Sequence, residues 1–294
     1  MKPTFAVIGC GKVGVTLARH LAAADYRPAG FASRASASAR VAAEAAGGGR
    51  VFREAWEATA DADVVFITTP DGLIGTVAQA LADHSGLKPG AVVLHCSGAL
   101  ASTVLAPVGE GGAHVGSLHP LQSFAAPVLT HNPFKGIVMA AEGDDTALAF
   151  CREVTGALEA EFLTLETENK ALYHAAAVVA SNYLVTLLAL ATRLLEGSGI
   201  PPGAAFKVLL PLVRGTLQNV AEQGIPQALT GPIARGDRET VAAHCRKIAA
   251  SLPDLLPFYR LMGAHTLPLA AAQDHLEEEA LRALSVLLDA TQKL

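Results

Sequence analysis

Gly9-Cys10-Gly11-Lys12-Val13-Gly14 constrains this chain more than any other stretch of it. The hexapeptide has the spacing G-x-G-x-x-G. It follows directly on the β-rich run TFAVI at 4–8, and residues 12–24 after it read as a helix. Between a strand and a helix, glycines at that spacing have separate physical tasks. Gly9 permits a tight turn, Gly11 lets a pyrophosphate approach the backbone, and Gly14 lets helix and strand pack closely. The unpaired N–H groups of the helix's first turn, with the backbone of Cys10, Lys12 and Val13 around them, then face the phosphates. A dinucleotide is the expected ligand.

The downstream pattern agrees. Further strands are expected at 28–32, 50–52, 64–68, 91–95, 115–118, 134–141 and 161–165, with helices at 35–46, 73–84 and 145–158. Such alternation predicts a mostly parallel sheet covered on both faces. Pro70 ends the fourth run, and Asp71 is placed to cap the helix after it. Beyond Leu165 the strand signal stops. One long helix is expected at 167–196, about 45 Å in length at 1.5 Å per residue, ended by Gly197, Gly199, Pro201 and Pro202. Others follow at 204–223, 237–251, 255–263 and 273–291. The fold class is therefore α/β: a Rossmann dinucleotide-binding domain over 1–165 and an all-helical domain over 166–294, assigned the substrate cleft and dimerisation. Two domains suit 294 residues at about 150 per domain.

Composition narrows the partners. Hydrophobic residues at 51% against 17% charged exclude intrinsic disorder. A net charge of −5 argues against a nucleic-acid partner, whose phosphates need clustered cations. The low charge predicts that a second copy covers part of the apolar surface, giving a homodimer. The stretch 175–195 is strongly apolar, but Ser181, Asn182 and several threonines interrupt it, so it reads as a protein helix and not a membrane span. The opening MKPTFAVIGCGKVG reads as a buried strand, not a signal peptide. Cys10, Cys96, Cys151 and Cys245 are far apart and lack CxxC spacing, which predicts free thiols in a reducing cytoplasm. The sequence has no HExxH, GxSxG or P-loop, and no metal is expected.

The second strand run ends Phe31-Ala32-Ser33-Arg34, without the acid that an NAD site uses to hold the ribose hydroxyls. Ser33 can donate to a 2′-phosphate, and Arg34 can pair with it or stack on adenine, so NADP is the expected cofactor. Arg34 would otherwise be an ordinary solvated residue. Thr68, Thr69 and Pro70 end the fourth strand on the crevice side and are assigned to the cofactor. So are Cys96 and Ser97, after the fifth strand, near the nicotinamide. Cys96 has no base at a fixed spacing, and a small buried filler is the reading preferred over a nucleophile.

Candidate chemistry follows the sixth strand. In SLHPLQSF, His119 can hydrogen-bond a substrate carbonyl or carboxylate, and Ser117, Gln122 and Ser123 are further donors for the same pocket. The alternative is that His119 and Ser123 cap local backbone. On the long helix Lys170 and His174 are four apart and share a face, with Asn182 beside the same stripe. Lys170 or His174 would supply the proton that accompanies hydride transfer. Against this stands a Glu166–Lys170 surface pair with a satisfied core histidine. Arg235, in TGPIARGD, would clamp a carboxylate or tie its loop to Asp237, itself placed to cap the next helix.

Together GCGKVG, FASR, TTPD, HCSG, GSLHPLQSF, ENKALYHAAAVVASNYL and LTGPIARGD resemble the Rossmann-like proteins with a C-terminal domain of unknown function 2520, over nearly the whole chain to about Pro268. That family is similar in layout to the 6-phosphogluconate dehydrogenase-like reductases, ketopantoate reductase and pyrroline-5-carboxylate reductase among them. The resemblance implies an NADP domain, a helical C-terminal domain that often mediates dimerisation, and a role for Lys170 as the helix lysine that some of those enzymes use as acid. Those enzymes carry Asn four residues later, where this chain has His174. The expected function is NADP-dependent transfer of a hydride to or from a small carbonyl or imine. A non-catalytic NADP-binding regulator or scaffold is the alternative, and a deazaflavin redox partner a third.

Overall fold

Apolar residues alternate between two destinations along every central strand, and that alternation organises the first 181 residues. In the computed structural model, which describes residues 1–274 and 276–289, β1 (Thr4–Ile8) sends Phe5 and Val7 to one core and Ala6 and Ile8 to the other. Likewise β4 (Val64–Ile67) divides Val64 and Phe66 from Val65 and Ile67. In β5 (Val92–His95), Val92 and Leu94 part from Val93. Side chains point alternately up and down from a strand, so a run buried on both faces must lie centrally between helices.

Five further strands complete the sheet: β2 (Arg27–Ala32), β3 (Arg50–Phe52), β6 (His114–Pro120), β7 (Val138–Gly143) and β8 (Glu161–Thr164). The order is β3-β2-β1-β4-β5-β6-β7-β8. Pairing is parallel throughout except between β6 and β7. The chain moves outward one way from β1 to β3 and then the other way from β4, so the strand order reverses between β1 and β4. Ligands of open α/β sheets bind outside the carboxyl ends of the strands at such a switch point. The covering helices are α1 (Lys12–Ala23), α2 (Ser36–Ala45), α3 (Ala55–Thr59), α4 (Asp71–Asp83), α5 (Ala106–Glu110) and α6 (Asp145–Ala157). Asp71 opens α4 without capping it; its carboxylate accepts the Ser97 hydroxyl at 2.8 Å instead. Asp144 does cap α6, accepting Ala147 N–H at 2.9 Å.

The long helix begins as α7 (Lys170–Val178), widens by one π-helical turn at Val179–Tyr183 and continues as α8 (Leu184–Gly197). Its opening turns belong to the first compact unit, Met1–Ser181, and the second is Asn182–Leu294. The units thus divide inside this helix, past the expected boundary near 165. The second unit also holds α9 (Ala205–Gln223), α10 (Arg238–Ser251), α11 (Leu256–Ala271) and α12 (Glu278–Leu288). Its core is Val241, Leu284 and Leu288, with Ile233, Tyr259 and Leu267 packed against them. Asp237 caps α10 through Thr240 N–H at 3.0 Å. The helix expected at 255–263 runs on to Ala271, and the one expected from 273 starts at Glu278; His275, Ala290 and Thr291 of that expected span lie outside the described residues. By length and apolarity alone, Thr167–Gly197 is enough to cross a membrane, and its most apolar window is not buried.

Candidate functional site

Gly9 has φ +94°, and a Cβ there would stand 2.6 Å from Thr69 N and 2.8 Å from the Thr68 carbonyl carbon. A Cβ on Gly14 would meet Gly9 O and Thr68 Oγ1, each at 2.5 Å. Both glycines are therefore demanded by the protein's own packing. Gly11 differs: its Cβ would meet nothing within 4 Å. The space over Gly11 is open, as a backbone awaiting a phosphate requires. A cavity of about 400 Å³ spreads from it, lined by Gly9, Cys10, Gly11, Ser33, Arg34, Thr68, Thr69 and Pro70. Ser38 and Arg53 line it as well, two residues the sequence reading did not select. The residues present fit an adenine dinucleotide: an open amide-rich turn at one end, hydroxyls and two guanidiniums at the other.

The other cofactor candidates contribute less. Cys10 contributes backbone only, its thiol turned inward toward Val7 O and Ala32 O at 3.8 and 3.7 Å. Lys12 is exposed and Val13 half-buried. Cys96 packs against the core, and burial pushes its thiol up to about 12, which removes it as a nucleophile at neutral pH. Ser97 organises the turn after β5: its Oγ accepts Ala99 and Leu100 N–H at 3.1 and 3.0 Å while donating to Asp71.

At the carboxyl ends of β5 and β6 the first unit gathers a polar cluster. Glu142, on β7, is 2% exposed. It accepts Ser102 N–H at 2.8 Å, Ser102 Oγ at 2.7 Å, Ser117 Oγ at 2.7 Å and Thr167 Oγ1 at 3.1 Å. Burial alone would raise its pKa, but those hydrogen bonds and the Lys170 charge override burial and hold it below the usual carboxylate range. Lys170, equally buried, donates to Ser97 O at 3.1 Å and Ser117 Oγ at 2.5 Å and lies 3.4 Å from Glu142 Oε1. Its pKa is lowered by burial, against the pull of Glu142. Lys170 thus pairs with Glu142 and not with Glu166. Ser117, fully buried between the two, has no hydroxyl left for a substrate.

One turn along α7, Tyr173 Oη lies 2.9 Å from His119 Nδ1. His174 faces the same histidine, ring centroids 6.1 Å apart. Both imidazoles close on Gly98, where a Cβ would come within 2.7 Å of His174 Nδ1 and 2.9 Å of His119 Nε2. His174 Nδ1 is buried without a hydrogen-bond partner, and His119 Nε2 has no partner among the described residues. Burial, then the Lys170 charge, lowers the His119 pKa to about 4, so its ring is neutral at pH 7. Burial raises the Tyr173 phenol to about 12, so it keeps its proton.

The structure places His119, Lys170 and His174 in one region of the first unit, together with Glu142, Tyr173 and Gly98. Glu142 had one readable sign, an acid closing the apolar run VMAAE; Tyr173 had its place three residues after Lys170, on the same helix face. Gln122 and Ser123 are exposed, and Gln122 Oε1 accepts Ser123 N–H at 2.8 Å. Asn182 and Arg235 belong to the second unit and are exposed within it. Among the described residues no His, Cys, Asp and Glu group could hold a metal ion.

Residues 2–120 match the model of a Rossmann-like domain, and residues 137–266 that of a domain of unknown function, DUF2520. No curated protein matches the chain. Among solved structures, the protein BF3122 from Bacteroides fragilis, provisionally named an NADP oxidoreductase, is 26% identical with a TM-score of 0.72, over 89% of this chain and 96% of its own. Protein TM1727 from Thermotoga maritima has the same identity and TM-score over 92% of this chain and 100% of its own. A pyrroline-5-carboxylate reductase from Coxiella burnetii, 14% identical at a TM-score of 0.59 over 98% and 99% of the two chains, shares the fold.

Proposed function

From the premise that this chain is a Rossmann-like domain joined to a domain of unknown function 2520, we propose that it is an NADP-dependent oxidoreductase acting on a small carbonyl or imine. The observation that carries this reading is His174 Nδ1, buried without a protein partner against Gly98, with His119 Nε2 facing the same glycine. A buried polar atom without a partner is rare and calls for a ligand. Both rings stand at the carboxyl edge of the same sheet whose switch point carries the open glycine turn.

The nicotinamide, when bound, supplies the hydride. The protein's residues do the rest. Gly11 leaves room for the pyrophosphate at the start of α1. Ser33 and Arg34, with Ser38 and Arg53 on the same cavity wall, receive the 2′-phosphate, and no carboxylate lines that wall to favour an unphosphorylated ribose. His119 and His174 bind the polar atom of the substrate. The likeness to the Bacteroides fragilis protein supports the choice of NADP.

Calorimetric titration with NADPH and NADH tests the cofactor. NADPH is expected to bind at least about tenfold more tightly, the worth of one charge-assisted hydrogen bond or more; equal affinities reject the phosphate site. A screen of NADPH oxidation over keto acids, imines and hydroxy acids then tests the activity. NADPH binding without turnover of any of them would make the protein a regulator or scaffold.

We also propose a homodimer through the helical unit, in the cytoplasm. Val185 and Leu212 are each 68% exposed on α8 and α9, and Val208, Leu217 and Ile225 are exposed nearby in sequence. Apolar surface of this kind is covered by a partner in most soluble proteins, and Ser181 and Asn182 within the long helix favour a protein partner over lipid. The four cysteines are free, which suits a reducing compartment. A monomer by sedimentation equilibrium at micromolar concentration would reject the dimer; partition into the membrane fraction would reject the cytoplasmic placement.

A further inference from the structure

Lys170 donates to Ser97 O and Ser117 Oγ and is ion-paired with Glu142 Oε1 at 3.4 Å, so all three of its polar neighbours lie inside the protein. An ammonium so engaged has no N–H to direct at a substrate. Turning one loose would leave Glu142 or Ser97 O under-satisfied in a site 2% exposed. His119 and His174 each have a free nitrogen, and of the two only His119 has its other nitrogen held by a protein group. Its Nδ1 is occupied by Tyr173 Oη at 2.9 Å, while Nε2, the other end of the ring, meets Gly98 and no hydrogen-bond partner.

The direction of the Tyr173 hydrogen bond follows from chemistry. A phenol that keeps its proton donates to the better base, and a neutral imidazole nitrogen is a better base than a phenolic oxygen. Nδ1 therefore accepts, and the single ring proton sits on Nε2. Tyr173 itself is half-buried, and so has access to water on its far side.

Resting on the reductase reading above, we propose that His119 is the catalytic proton donor, that Tyr173 is its positioning and relay residue, and that Lys170 is a structural anchor. As hydride reaches the substrate carbon, the π electron pair of C=O or C=N moves onto the heteroatom. That atom takes the proton from His119 Nε2, and the N–H bonding pair stays on the ring. In the same step Nδ1 takes the phenolic proton of Tyr173, so the ring stays neutral; after the product leaves, the phenolate takes that proton back from Nδ1 as water delivers a proton to Nε2, which restores the starting tautomer. The nicotinamide is oxidised by two electrons and the substrate reduced by two. His174 Nδ1, buried without a protein partner, is placed to hydrogen-bond a polar atom of the substrate. Serving as both acid and orienter without becoming charged is within reach of a neutral imidazole in a buried site.

Two measurements on the full chain test this. In ¹⁵N-histidine spectra, His119 is expected as the Nε2–H tautomer with a hydrogen-bonded Nδ1, and Tyr173→Phe is expected to abolish that signature. With the carbonyl or imine found active for the wild type, His119→Asn should lower kcat by about 100-fold or more, the usual worth of a general acid, with NADPH affinity preserved. Tyr173→Phe should lower kcat about tenfold, the worth of one hydrogen bond, with KM little changed. Wild-type turnover that survives in His119→Asn, or a Tyr173→Phe variant with unaltered kcat and unaltered His119 signature, overturns the assignment alone. Absence of wild-type turnover on every carbonyl and imine overturns the reductase reading, and the proton pair with it.

Discussion

Gly9 and Gly11 are two residues apart and answer to different demands. Gly9 is fixed by its positive φ and by backbone atoms of Thr68 and Thr69 that would strike a side chain. Gly11 has no neighbour to strike, so a side chain there would meet only what binds over the turn. Gly11→Ala is thus expected to unfold at the wild-type urea midpoint yet bind NADPH at least about tenfold more weakly. Gly9→Ala should lower the midpoint itself. If Gly11→Ala binds NADPH as the wild type does, the phosphates do not rest on that turn. The Lys170–Glu142 pair carries a second residue-scale expectation. Lys170→Met leaves a carboxylate 2% exposed without its cation, a loss of about 3–5 kcal/mol for broken buried pairs. Lys170→Met combined with Glu142→Gln removes both charges and should recover at least half of it by denaturant unfolding. A single variant as stable as the wild type would show that the pair anchors nothing.

The elements were legible where burial on two faces leaves a mark. TFAVI, VVFI and VVLH are short apolar runs bounded by breakers, and each is a central strand. The five-residue helices α3 and α5 left no comparable signal, since one turn is too short for a 3.6-residue period to show. The helix expected at 255–263 runs longer for another reason. α11 continues past Gly263 and through Pro268, which lies near its end. The clamp around Glu142 was the least legible feature, because β6, β7 and α7 bring its members together from positions 25 to 53 residues apart. Asp144 shows how one side chain ties such elements. One oxygen caps α6 through Ala147 N–H, and the other accepts Val115 N–H at 2.7 Å at the start of β6. Asp144→Ala should therefore cost about 1–2 kcal/mol, the range of a lost N-cap. Asn, with a single acceptor oxygen, should recover about half. Equal stabilities for Asp and Ala at this position would mean that α6 is capped by solvent as well as by Asp144.

At the scale of the molecule, the histidines of the first unit set how stability responds to acid. His95 is fully buried and held near 4 by burial and then by the Lys170 charge, with Glu142 and Asp71 pulling the other way. His119 is likewise lowered to about 4, and burial lowers His20 in the same direction. A histidine whose pKa is lower in the folded than in the unfolded chain makes the unfolded chain bind more protons between the two values, so stability rises with pH across that window. From about pH 6.5 down to about 4, unfolding is favoured by about 1.4 kcal/mol per pH unit for each fully buried histidine. Glu142, held below its usual range by Ser102, Ser117 and Lys170, adds to the loss only below about 4.5. Between pH 7 and 5 the slope therefore belongs to the imidazoles. Trp56 is the chain's one tryptophan and lies in the first unit, so its fluorescence reports that unit's unfolding. The urea midpoint is expected to fall steadily from pH 7 to pH 5, and His95→Asn, which can still accept Ser97 N–H but cannot be protonated, should flatten the fall by about a third to a half. A midpoint constant over that range would mean that these rings take up protons without unfolding. His119 would then be an imidazolium at mildly acidic pH, and turnover would rise as pH falls instead of staying level.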